Sequence, residues 1–220
     1  MKKFLAFSLA FLLTVSLCAC SPIPRPEPSA SASPTPSAEA SQSAEPSSLP
    51  APSEEQAEAM LPIMDSIILC WDEVGYSAHN ASGEYVWDVL YYLCVNYSDS
   101  LPSVSIPESD SSVLSISSSD ALALASCFSD ITELPALPEK SSVSYDQQTD
   151  TYRMLLSDRN QTRPSIQSVK QETDGSATVV VEMRSMEDNA VLDTFSFRLV
   201  ANTQTAAGQF SLRIVSAERK

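Results

Sequence analysis

The apolar positions of the chain fall into four successive patterns. Lys2 and Lys3 precede an apolar run from Phe4 to Leu17, interrupted only by Ser8, Thr14 and Ser16. A membrane-spanning helix needs roughly 20 apolar residues. This run is shorter and charged only at its start, which is the layout of a secretory signal peptide. From Ser21 to Pro52 the apolar pattern stops: nine of the fifteen prolines lie here among Ser, Ala and Glu, with no Gly and no aromatic residue. Such a stretch cannot bury enough apolar area to offset the entropy of ordering it. Its prolines favour extended polyproline-like segments, which at about 3.1 Å per residue reach at most roughly 100 Å. A tether is expected here, ahead of a folded domain that begins near residue 53.

A helical period follows. Ser53-Glu54-Glu55-Gln56 reads as a capping box with acidic residues in the first turn. Met60, Met64, Ile67, Trp71 and Val74 then recur on one helix face. Pro62 should kink this helix or move its start to about Leu61, and Gly75 is its expected C-cap. A second helix is predicted over 82–97. Val86, Val89, Leu90, Leu93 and Tyr97 share one face, and Tyr85, Trp87, Tyr91 and Tyr92 extend the apolar surface around most of the circumference. A helix apolar all round is a central, buried one, and the alternative use of so many rings is an aromatic-lined pocket. After a Ser/Pro/Asp loop over 101–112 come a short strand at Val113–Ile116 and a third helix over 118–130, capped by Ser118 or Ser119.

From Val143 onward the period becomes two. A hairpin joins Val143–Tyr145 to Tyr152–Leu156, a strand covers Ser165–Glu172, and Asp174-Gly175 makes a hairpin turn. Ala177, Val179, Val181 and Met183, then Phe195, Phe197 and Leu199, then Phe210, Leu212 and Ile214 alternate with polar residues. Each strand thus has one apolar and one wetted face, as in an antiparallel sheet covered on one side. The expected class is α+β: about three N-terminal helices on a curved antiparallel meander of about four to six strands.

Charge narrows the partners. The chain carries a net −15, and residues 56–139 hold thirteen acidic residues and no Lys or Arg, whereas 140–220 hold ten of each sign. An acidic protein lacks the basic patch of a nucleic-acid binder, so no nucleic acid is expected as partner. Direct adhesion to anionic lipid head groups is disfavoured for the same reason.

Few catalytic chemistries are open to these residues. His79 is the only histidine, so multi-histidine metal sites are excluded and any catalytic triad would have to use this one loop residue. No GxSxG, P-loop or GxGxxG occurs, and the four glycines make a phosphate-cradling loop improbable. Cys70, Cys94 and Cys127 show no metal-ligand spacing. They leave open three buried thiols or one disulfide plus one thiol. The Asp72-Glu73 pair points in two directions on a helix, and Ser141 and Ser142 beside Lys140 carry little information in so serine-rich a chain. No catalytic residue, metal ligand or cofactor site is assigned.

Leu17-Cys18-Ala19-Cys20 resembles the bacterial lipobox, with an aliphatic residue at −3 and a small one at −1. The resemblance implies cleavage before Cys20, a signal peptide over 1–19, and a diacylglycerol thioether on Cys20. Cys18 is the rival, but it would leave Leu17 at −1. Two acyl chains bury many CH₂ groups at about 0.8 kcal/mol each, which suffices for stable anchoring. The resemblance thus implies an extracytoplasmic protein held to the cell membrane by lipid, with 20–52 as tether and 53–220 as one α+β domain. The tether's length points to the outer face of a Gram-positive envelope. Helices followed by the ending "DGSATVVVEM…TFSFRLV…FSLRIVSAE" resemble the cystatin-like and nuclear-transport-factor-like cone folds, and also uncharacterised lipid-anchored envelope domains. Such cones hold a ligand pocket or pack a partner, so fold does not settle function. The expected role is a non-catalytic module that binds a protein, glycan or small ligand; the alternative is a small envelope enzyme using carboxylates or His79.

Overall fold

Ser53 opens the fold. Its hydroxyl accepts from the Gln56 N–H while the Gln56 side chain accepts from the Ser53 N–H, so the capping box is complete and starts helix α1, Glu54–Ala59. The computed structural model describes residues 52–71, 75–139, 141–157, 162–203 and 210–220, all within a compact unit spanning Glu45–Lys220. Pro62 tolerates only the first turn of a helix, and the expected first helix accordingly divides. Met60 caps α1 and begins α2, Leu61–Leu69. The helix does not continue to Gly75 as expected. Cys70 is the C-cap, and Trp71 leaves the helix to pack edge-on against Phe195 at 4.9 Å. Gly75 instead leads into strand β1, Tyr76–Ser77, followed by a 3₁₀ turn over Ala78–Asn80.

Helix α3, Gly83–Tyr97, lies where the periodicity puts it, with the Ser82 hydroxyl accepting from the Tyr85 N–H. The loop expected over 101–112 contains a two-residue strand β2, Val104–Ser105, paired with β3, Val113–Ser117. Helix α4, Ser118–Ala125, is shorter than expected and is capped by Ser117 rather than Ser118 or Ser119. The reason is that β3 runs into the helix without a loop, so its last residue, still extended, becomes the cap.

Six further strands complete the fold: β4, Val143–Asp146; β5, Thr151–Leu155; β6, Thr162–Gln171; β7, Ala177–Ser185; β8, Val191–Ala201; and β9, Leu212–Arg219. The Asp174-Gly175 turn forms as predicted, with Gly175 at φ +81°. The structure is α+β with antiparallel sheets, but the strands make two sheets where one meander was expected. The larger sheet has the order β1-β9-β8-β7-β6, and the smaller β2-β3-β5-β4. The hairpin β4–β5 does not extend the meander because β3 pairs with β5 over five residues, Val113↔Leu155 to Ser117↔Thr151. Register shifts at Ile166/Ser168, Met183/Arg184 and Arg198/Leu199 bend and twist the larger sheet.

One hydrophobic cluster joins both sheets to the helices. It contains Met64 and Ile67 of α2, Val86, Leu90 and Leu93 of α3, Leu114, Ile116 and Met154 of the smaller sheet, and Val179, Phe197 and Ile214 of the larger. The central position expected for the aromatic helix α3 is therefore correct. Fully burying each such side chain contributes about 1.5–3 kcal/mol. Among the described residues no helix is long and apolar enough to cross a membrane.

Candidate functional site

The first turns of α3 present Glu84 and Asp88 on the exposed side, one turn apart, with Trp87 and Tyr91 beside them. Facing them are Pro138 and the residues Ser141 to Val143, and between the two lies a small cleft of about 90 Å³ lined by Glu84, Trp87, Asp88, Tyr91, Ser142 and Val143, among others. Gly83 makes this approach possible. A Cβ there would stand 2.9 Å from the Cβ of Pro135, closer than carbon atoms pack. Trp87 is 1% exposed, and its indole N–H donates to the Pro135 carbonyl at 3.0 Å, pinning the loop to the helix. Tyr91 is pinned similarly, its hydroxyl donating to the Leu155 carbonyl at 3.0 Å.

Behind the cleft the aromatic rings continue. Trp87 lies 4.6 Å from Tyr152, and Tyr152 lies 5.0 Å from Tyr145, whose ring is exposed and whose hydroxyl donates to Asp150. Burial, and then the charge of Glu84, raise the Asp88 carboxyl above its ordinary range. Two carboxylates, serine hydroxyls and the edges of two rings thus line a polar notch with an aromatic wall. It suits a group that donates hydrogen bonds and offers a flat or cationic face.

His79 lies elsewhere, exposed on the 3₁₀ turn, with Nδ1 3.7 Å from Asp130 Oδ2. The other oxygen of Asp130 accepts from the Arg213 guanidinium. This carboxylate is therefore shared between a histidine and an arginine, and the arrangement ties the turn to β9. The nearby Cys127 thiol is buried, donates to the Ala123 carbonyl at 3.4 Å and accepts from the Asn202 amide at 3.6 Å. Burial pushes it up to about 11 and pushes Cys94 up to about 12. Burial also raises Cys70, and the charge of Asp88 adds to that shift. All three thiols are free, which resolves the disulfide alternative, and none has the lowered pKa of a nucleophile. Among the described residues no three His, Cys, Asp or Glu side chains converge as a metal site.

Of the residues singled out in the sequence, the structure brings together Trp87, Tyr91, Ser141 and Ser142, and it keeps His79 apart from them. Cys20, Cys18, Asp72, Glu73 and Lys140 lie outside the described residues. Pro138 and Val143 were not anticipated as lining residues; the closely spaced Pro135 and Pro138, which end the helical region, were the available signal. Comparison of the chain with known protein families, with curated proteins and with solved structures finds no match.

Proposed function

We propose that the chain is a lipid-anchored extracytoplasmic protein whose folded domain is a binding module, engaging a protein, glycan or small ligand at the cleft along α3. The observation that carries this reading is the convergence of Glu84, Asp88, Trp87 and Tyr91 with Ser141 and Ser142 around one notch. Its lining is rich in acceptors and backed by rings, which matches a ligand with donor groups and a flat face. The anchor rests on the lipobox at Cys20, and the resemblance to cone folds rests on the order of helices before the β6–β9 meander. The alternative of a small envelope enzyme draws on the His79–Asp130 contact, beside which no thiol or hydroxyl among the described residues is hydrogen-bonded to the imidazole. Recovery of partners from detergent-solubilised envelope with the full chain tests the reading. Species recovered by the wild type should be lost with Tyr91→Ala and with Asp88→Asn, each folded by its melting curve. Recovery unchanged by both variants would overturn it.

A further inference from the structure

The larger sheet turns its apolar face to the helices, and its other face carries Arg163 and Ser165 on β6 opposite Arg184 and Glu182 on β7. Arg163 and Arg184 are direct cross-strand partners. Like charges so placed repel, and a sheet bearing them is weaker for it unless an anion lies between them. Only one of the two has an internal counter-charge. Arg184 pairs with Glu182, whereas Arg163 has no carboxylate partner among the described residues.

Both guanidiniums are nevertheless held in place. Asn189, in the hairpin after β7 and in a left-handed conformation at φ +61°, accepts from Arg163 Nη2 through its side-chain oxygen at 2.6 Å. Its backbone carbonyl accepts from Arg184 Nη1 at 3.2 Å. One residue thus fixes two arginines side by side at the wall of an open cleft of about 380 Å³, lined by Arg163, Pro164, Ser165, Arg184 and Asn189. Each guanidinium has five N–H donors, and these bonds occupy a minority of them. Fixing the side chains beforehand removes much of the rotamer entropy that arginine otherwise loses on binding.

We propose that this cleft is an oxyanion site for a phosphate group, bridged between Arg163 and Arg184 with the Ser165 hydroxyl as a further donor. A tetrahedral phosphate carries enough oxygens to accept from both guanidiniums and the hydroxyl at once. The site goes beyond the α3 cleft and involves none of its residues.

The test is titration of the full chain in detergent with inorganic phosphate and, separately, with a glycerophosphodiester, at constant ionic strength, reading melting temperature and heat of binding. Saturable binding is expected, weakened at least tenfold by Arg163→Gln and by Arg184→Gln, and unchanged by Lys170→Gln, which removes another cation from the same strand. Arg163→Lys, which retains charge without the fork, should lose most of the affinity. Binding of the diester at least as tight as that of phosphate identifies a headgroup or polymer as the source. Binding confined to inorganic phosphate identifies a free anion, and either result supports the site. An equal response to acetate or chloride, or equal weakening by Lys170→Gln, would overturn it as general screening. Absence of saturable binding by wild-type protein would do so too.

Discussion

At the scale of single residues, the most consequential side chain is one the periodicity passes over. Asp65 stands inside the apolar run of α2, is 2% exposed, and accepts one hydrogen bond, from the Tyr97 hydroxyl to Oδ2 at 2.8 Å. Its Oδ1 is equally buried and has no hydrogen-bond partner among the described residues. Burial pushes the carboxyl up to about 6, against a smaller lowering by the Tyr97 bond. In the unfolded chain it ionises near 3.8. Between those values the native state holds a proton that the unfolded state has lost, so stability falls as pH rises from about 4 to about 6 and stays lower above. A rise of about two pH units corresponds to about 3 kcal/mol. Asp65→Asn cannot ionise, so it should raise the urea midpoint at pH 7.5 and differ little from wild type at pH 4. An equal effect at both pH values would show that the carboxyl is not titrating in this window. A lone Asp in "LPIMDSIIL" was visible in the sequence. Whether it faces solvent or core was not, because that depends on where α2 is cut by Pro62 and on the approach of Tyr97 from α3.

At the scale of elements, what the sequence made legible was local. Helix α3 begins and ends within a residue of its predicted span because Ser82 supplies a cap and the apolar spacing is dense. Strands β7 and β8 follow alternations that need no partner to be recognised. Strands β3, β4 and β5 of the smaller sheet were legible, but their assembly was not, since the pairing of Val113–Ser117 with Thr151–Leu155 joins segments far apart in the chain and β2 has only two residues. The cleft was half legible for the same reason. The rings of α3 announce one wall, while the other depends on how closely Pro135 can approach Gly83. Gly83→Ala isolates that contact. Alanine favours a helix over glycine by up to about 1 kcal/mol, yet its Cβ would displace the rigid Pro135 ring and loosen the indole bond to the Pro135 carbonyl. Overpacking of this kind costs about 1–3 kcal/mol. The substitution should lower the melting temperature by several degrees and shift Trp87 emission to the red, whereas a pure propensity effect would raise the melting temperature.

At the scale of the whole molecule, charge is unevenly distributed. Residues 56–139 hold thirteen acidic residues and no Lys or Arg, whereas the open face of the larger sheet carries Arg163, Arg184 and Arg198, the last two paired with Glu182 and Asp174. A domain of that kind acts at a membrane surface only if something holds it there, because a chain at −15 is repelled by anionic lipid. On the function proposed above, Cys20 of the stretch that resembles a lipobox would be such an anchor, with the proline-rich sequence after it as the tether. Cys20→Ser should therefore move the full chain from the membrane fraction to the soluble extracytoplasmic fraction, with the melting curve of the folded domain unchanged. Cys18→Ser should leave fractionation as in the wild type. If the effects of the two substitutions are exchanged, cleavage falls before Cys18 and Leu17 is accepted at −1. If neither releases the chain, attachment runs through the apolar run Phe4–Leu17 itself, retained as an uncleaved segment. The three results separate by fractionation alone, since one acyl-bearing cysteine cannot be replaced by its neighbour without changing which residue begins the mature protein.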